Sequence, residues 1–228
     1  MWKDFLHLFF PQQCAACSVV LLHHEELICN SCYAHLPKTA FHLVRGNEAE
    51  SVFFGRVPVS AVGSYYYFNR GTKVQELLHK IKYEQLPEAA ALVGEWYGLE
   101  MKKVTEFSSA DYILPVPLHP TKLKVRGYNQ SLFFAKGLSK TMGIPVNETL
   151  LIRTIYADTQ TKKDKFSRTE SVENVFEFRS DESLRGKHFL VVDDVLTTGA
   201  TLESCANAIL KAAPESRISF ATLAYAQH

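Results

Sequence analysis

The chain is 228 residues long, 46% hydrophobic and 21% charged, with a formal net charge of +1. That length accommodates one α/β domain and a smaller module, and the composition is that of a soluble globular protein. A near-neutral balance supplies no global field to draw nucleic acid, and no apolar run approaches the roughly 18–20 residues of a membrane helix. The stretch 1–11 is apolar but short. Asp4 and His7 interrupt it and no small-residue cleavage site follows, so an amphipathic helix is expected there and not a secretory signal.

Cys14-x-x-Cys17 and Cys29-x-x-Cys32 follow, separated by eleven residues. Each C-x-x-C puts two thiolates on one tight turn, and two such knuckles complete a tetrahedral site for Zn²⁺. Four thiolates fill the shell, so the expected site is closed and structural; His23, His24 and His35 are expected at the surface. A redox-active or metal-free module is the rival reading. Cysteines in a metal-like pattern, not a disulfide ladder, point to the cytoplasm. Residues 1–40 carry only Lys3 and Lys38 against Asp4, Glu25 and Glu26, which is not the basic face that dominates DNA affinity. Direct nucleic-acid binding is therefore not expected, and protein contact or scaffolding of the next domain fits better.

Residues 41–60, broken at Gly46-Asn47 and at Gly55 to Pro58, read as a connector. Val59 to Phe68 is β-branched and aromatic and reads as a strand; its Tyr65-Tyr66-Tyr67-Phe68 cluster suits sheet packing better than base stacking. Val74, Leu77, Leu78 and Ile81 form a helical stripe ending near Lys82. A second helix is expected from Pro87 to about Val104, with Leu92, Trp96 and Leu99 inward. The strand Asp111 to Pro120 comes next, then a basic segment holding Lys122, Lys124 and Arg126, then a helix from Ser131 to Met142. Arg153 to Arg168 is long, polar and aperiodic, includes Lys162, Lys163 and Lys165, and reads as a mobile basic loop. Taken singly, each basic stretch is equally a solvated charged loop.

The most informative stretch is Phe189 to Thr201. Four apolar residues read as an interior strand of a parallel sheet that stops at Asp193 and Asp194. Val195, Leu196, Thr197, Thr198, Gly199, Ala200 and Thr201 then turn into a helix whose free backbone N–H groups make an anion site. Acceptors for sugar hydroxyls thus stand beside donors for a phosphate at the carboxyl end of a strand, where open α/β sheets bind ligands. A solvated strand end with a plain capping turn is the bland alternative. Neither G-x-x-x-x-G-K-[ST] nor G-x-G-x-x-G occurs, so nucleotide-binding loops of those kinds lack their fingerprints. Leu202, Cys205, Ala206, Ile209 and Leu210 form a stripe that packs on a sheet, which makes Cys205 a core residue.

In length and order, 189–201 resembles the phosphoribosyl pyrophosphate (PRPP) signature of the type I phosphoribosyltransferases. With the paired C-x-x-C, the segment Lys124 to Gln130 and the span Arg153 to Phe178, the chain is similar to the ComF family of competence-associated, GntX-like proteins. The resemblance implies an α/β fold of the type I phosphoribosyltransferase kind, a parallel sheet flanked by helices, with a small N-terminal four-cysteine zinc module. It divides the chain into 1–40, the zinc module; 41–109, a linking strand and helix subdomain; and 110–228, the phosphoribosyltransferase domain. It implies that Asp193 and Asp194 accept the ribose hydroxyls of PRPP, that 195–201 grips the 5′-phosphate, and that Mg²⁺ bridges pyrophosphate and ribose oxygens. Lys122, Lys124, Arg126, Lys162, Lys163, Lys165 and Arg168 would meet the pyrophosphate. The implied reaction transfers the phosphoribosyl group to an unidentified acceptor, with a link to DNA uptake and competence-machinery proteins as candidate partners. The alternative is a non-catalytic PRPP sensor or assembly factor. Glutamine-dependent amidotransfer is not expected, because Trp2 and not a nucleophilic cysteine follows Met1 and the length leaves no room for a glutaminase domain. With its last expected strand at 217–225, the chain shows no segment for a base-recognising C-terminal hood, so the acceptor site is expected before residue 110.

Overall fold

A computed structural model describes residues 11–154 and 175–227. The expected N-terminal helix and the basic loop with Lys162, Lys163, Lys165 and Arg168 lie outside these residues. The four-cysteine segment leads into α1 (Asn30–His35), a 3-10 turn at Phe41–Leu43 and α2 (Glu48–Ser51). Strand β1 (Ala61–Phe68) precedes α3 (Lys73–Tyr83), α4 (Pro87–Met101), α5 (Thr105–Ser108) and β2 (Tyr112–Pro115). After α6 (Pro120–Arg126) and α7 (Gln130–Met142), an antiparallel pair is formed by β3 (Leu151–Arg153) and β4 (Phe176–Phe178). The chain then runs through β5 (His188–Leu196), α8 (Ala200–Ala212) and β6 (Arg217–Ala226).

The main sheet is parallel throughout, in the order β1-β6-β5-β2. Side chains alternate across it, and both faces are apolar, as a parallel sheet with helices on either side requires. Ile113, Leu190, Val192 and Leu223 face one cluster, shared with α3, α4, α7 and the cysteine segment. Leu114, Phe189, Val191, Ile218 and Phe220 face the other, shared with α8 and the β3–β4 pair. The open edge of β1 is covered by residues 37–39, through Thr39 N–H to the Tyr65 carbonyl and Tyr67 N–H to the Pro37 carbonyl. Cys205 is fully buried in the second cluster, and Tyr65 and Tyr66 are core residues as expected.

Four expectations need correction. Residues 41–60 are more than a connector, because Phe41, Ala49, Phe53 and Val57 are buried against the sheet. The inward face of α4 is Ala89, Ala90, Val93, Tyr97 and Met101, whereas Leu92 and Trp96 are half-buried and Leu99 is exposed. That helix ends at Met101 and is apolar on most sides, so its periodicity does not select a face. Its true face follows from close contact with α7: a Cβ on Gly137 would collide with the Ala91 carbonyl, and one on Gly94 with the Phe134 carbonyl. The segment with Lys122, Lys124 and Arg126 is helical, opened by Pro120 and closed by Gly127 at φ 84°. Finally, β5 does not stop at the acids but continues through them to Leu196, pairing Asp193 with Thr222 and Val195 with Ala224.

Candidate functional site

The parallel strands β2 and β5 deliver their carboxyl ends to the amino end of α7. Asn129 caps that helix, accepting from Ser131 N–H at 3.1 Å and donating to the Val116 carbonyl at 3.0 Å. The cap fixes the first turn of α7 over the two acids. Gln130 Nε2 donates to Asp194 Oδ2 at 2.7 Å, and Ser131 Oγ donates to Asp193 Oδ1 at 2.8 Å. The Asp194 backbone N–H also donates to Asp193 Oδ1, at 2.9 Å. Lys82, in the last turn of α3, sets its Nζ 2.9 Å from Asp194 Oδ2. No hydrogen bond from a described residue reaches Asp193 Oδ2 or Asp194 Oδ1. One oxygen of each carboxylate is therefore open, an arrangement that fits two adjacent hydroxyls.

Crowding two carboxylates has an electrostatic consequence. Burial, then the charge of Asp194, pushes the Asp193 carboxyl up to about 7, against the opposing pull of the Asp194 N–H, Ser131 and Lys82. Asp194 is buried with two donors on one oxygen.

Next to the acids, the turn at 197–199 passes into α8. Gly199 adopts φ 76°, a left-handed conformation, and it lies against Val52 and Phe53: a Cβ there would stand 2.7 Å from Val52 Cγ1. Arg56 straps the same turn, donating to the Thr198 carbonyl at 2.7 Å and the Val52 carbonyl at 3.0 Å while pairing with Glu203. Thr197, Thr198, Ala200 and Thr201 face solvent, and Leu196 is buried with Val195 half-buried. A helix start preceded by a small, open turn can hold an anion through its backbone N–H groups.

The cations of α6 are divided. Lys122 and Arg126 line a cleft of about 290 Å³ together with Lys82, Tyr83, Thr121 and Tyr128. Lys124 is exposed and lies outside that lining. The Arg126 guanidinium sits 5.5 Å from the centre of the Tyr83 ring and bonds to Gln130 Oε1, so a chain of contacts runs from Arg126 through Gln130 to Asp194. Lys82, Gln130, Ser131 and Arg56 are additions to the residues expected from sequence. Gln130 and Ser131 fall at a recognisable helix start; Lys82 and Arg56 carry no local mark.

The Sγ atoms of Cys14, Cys17, Cys29 and Cys32 lie within 4.8 Å of one another. Tetrahedral zinc with Zn–S of ~2.3 Å demands sulfur separations of about 3.8 Å, and Cys17 Sγ to Cys29 Sγ is 3.8 Å. Backbone N–H groups of Ala16 and Cys29 donate to Cys14 Sγ at 3.4 and 3.3 Å. Burial pushes the Cys14 thiol up, but these donors outweigh it and leave it at about 7; burial dominates at Cys29 and Cys32, which are raised. The donor set fits Zn²⁺, and these four residues would hold it as a closed structural site. His23, His24 and His35 are exposed, as expected.

A model of the phosphoribosyl transferase domain matches residues 129–228, which takes in α7, the acidic dyad and the 197–201 turn. The fold and site define a phosphoribosyltransferase-domain protein. "DNA utilization protein YhgH" of Escherichia coli O157:H7 is 29% identical over 138 residues, 59% of this chain and 60% of that protein, so the match spans less than two thirds of that relative's length. "Competence protein ComFC" of Bacillus subtilis is 27% identical over 229 residues, 94% of this chain and 90% of that protein. The chain is thus similar to the competence and DNA-utilization proteins of the ComF/YhgH kind, and its carboxyl-terminal part carries a phosphoribosyl transferase domain. Among solved structures, adenine phosphoribosyltransferase from Leishmania tarentolae matches at 14% identity and a TM-score of 0.39, covering 83% of this chain and 94% of that one.

Proposed function

We propose that this protein binds PRPP as its Mg²⁺ complex and transfers the phosphoribosyl group to an acceptor, releasing pyrophosphate. The observation that carries the reading is the pair of open carboxylate oxygens on Asp193 and Asp194 beside the 197–201 helix start. The 2′ and 3′ hydroxyls of ribose donate to the open oxygens, and the backbone of 197–201, with the hydroxyls of Thr197, Thr198 and Thr201, receives the 5′-phosphate. Lys122 and Arg126 meet the pyrophosphate, joined by Lys124 and by Lys162, Lys163, Lys165 and Arg168. Mg²⁺ bound with the substrate would supply neutralisation of the leaving group.

As the C1–O bond breaks, its electron pair leaves with pyrophosphate and an acceptor lone pair completes the new bond at C1. The protein positions and neutralises; no side-chain nucleophile is needed. Zinc in the Cys14, Cys17, Cys29 and Cys32 cluster is structural in this reading. The cytoplasm is the proposed location, where free thiolates and PRPP coexist.

Calorimetric titration tests the site. PRPP binding should require Mg²⁺ and weaken at least about 100-fold in Asp193→Asn/Asp194→Asn, since each charge-assisted hydrogen bond contributes about 1.5–3 kcal/mol. Undiminished binding in the double variant overturns the assignment. The similarity to DNA utilization and competence proteins favours a second reading, a PRPP-dependent sensor or assembly factor in DNA uptake.

A further inference from the structure

Lys82 stands at the boundary between the dyad and the cleft. It belongs to α3, far in sequence from both the 197–201 turn and the basic segment of α6, and precedes the region matched by the transferase-domain model. Its Nζ lies 2.9 Å from Asp194 Oδ2 with the side chain 23% exposed, and the same side chain lines the cleft with Lys122 and Arg126.

Among the described residues, three cations and no acidic side chain line this cleft. Such a concentration of like charge calls for a polyanion. The walls are preset. Arg126 is held between Gln130 and the Tyr83 ring, and Tyr128 donates to the Ile81 carbonyl. Lys82 is different, a point charge on a flexible four-carbon stem. Gln130 donates to the same Asp194 oxygen at 2.7 Å, so that carboxylate keeps a hydrogen bond if the ammonium leaves.

We propose that Lys82 is a pyrophosphate-binding residue whose ammonium pairs with Asp194 in the free protein and moves to the pyrophosphate of PRPP in the cleft beside Lys122 and Arg126. This rests on the PRPP reading above. Entry of the substrate brings ribose hydroxyls to the open oxygen of Asp194 while the pyrophosphate draws the cation from the other oxygen to the group that must depart. The upward push of Asp194 on its neighbour Asp193 is relieved by Lys82 in the free state, which gives the resting contact its own purpose.

Calorimetry with three probes in Mg²⁺ buffer, PRPP, inorganic pyrophosphate and ribose 5-phosphate, separates the outcomes. Lys82→Gln should weaken PRPP and pyrophosphate about 10–100-fold and leave ribose 5-phosphate within about twofold, because one charged contact to an anion is lost. Lys82→Arg, which keeps the cation and guards against a fold defect in the first variant, should retain PRPP binding within about fivefold. Equal losses for ribose 5-phosphate and PRPP would make Lys82 a counter-ion of Asp194 only and overturn the proposal, as would unchanged binding of all three probes. Failure of the unaltered protein to bind PRPP at all is a distinct result, which removes the underlying reading and this proposal with it.

Discussion

At the scale of single residues, Asp193 is where function and stability conflict. Its carboxyl is pushed from 3.8 up to about 7 by burial and then by Asp194. The groups facing it are Asp194, Ser131 and, from α3, Lys82, with the Cys205 thiol of α8 raised by burial and by the Asp193 charge. Because the folded value exceeds the unfolded one, the folded protein keeps a proton that the unfolded chain has lost between about pH 4 and 7. The associated stability is complete below about pH 4 and disappears as pH rises through about 7. Thermal melts should therefore show the midpoint falling from pH 5 to 8, a dependence flattened in Asp193→Asn, which should also outlast the parent at pH 8. Equal pH dependence in parent and variant would contradict this account. PRPP affinity should run the opposite way, rising from pH 6 to 8 as the acceptor carboxylate ionises. Asp193, Asp194 and 197–201 were legible in the sequence because strand, acids, small turn and helix form one local pattern. Gln130 and Ser131 meet the dyad across 64 and 62 residues of chain, and only the docking of α7 on β5 brings them there.

At the scale of elements, residue type disclosed α3, α4, α7, α8 and every strand of the main sheet, through helical stripes and through apolar, β-branched or aromatic runs, but not α1, α2, α5 or α6. It failed where backbone geometry outranks residue type. The acids of β5 continue the hydrogen-bonded ladder because pairing uses main-chain groups, and the segment 41–60 buries single residues from short turns with no period to detect. Helix α3 shows what such reading leaves out. Lys80 donates to the Cys14 carbonyl at 3.2 Å and to Ser18 Oγ at 2.8 Å, while Lys82, two residues on, pairs with Asp194. One helix thus joins the cysteine knuckle to the acidic dyad. Metal analysis should find about one zinc per chain, lost in Cys14→Ser. That variant should also melt at least about 4 °C lower, the shift that roughly 1–2 kcal/mol produces at this size, because the anchor of Lys80 loosens with the knuckle. A zinc-free parent, or a variant melting with the parent, would refute a structural metal here.

For the whole molecule, the candidate site draws on both sides of residue 129, where the transferase-domain match begins: α3 and α6 supply cations, β5 supplies the dyad, and α7 and the 197–201 turn stand beside it. The chemistry available to that assembly is limited. Cys205 is fully buried with its thiol pushed far up, and the four remaining cysteines form one cluster. Among the described residues, donors reach only one oxygen each of Asp193 and Asp194. With Cys205 buried away from solvent and the other cysteines gathered in one cluster, the proposed transfer relies on an external acceptor. Pyrophosphate release from Mg–PRPP, measured across a panel of bases, amines and nucleic acids, decides between transferase and sensor. As a transferase, the protein should release pyrophosphate well above background with at least one acceptor and lose that release in Asp193→Asn/Asp194→Asn. Background rates with every acceptor, alongside intact Mg²⁺-dependent PRPP binding, would favour the non-catalytic PRPP-binding reading over the transferase.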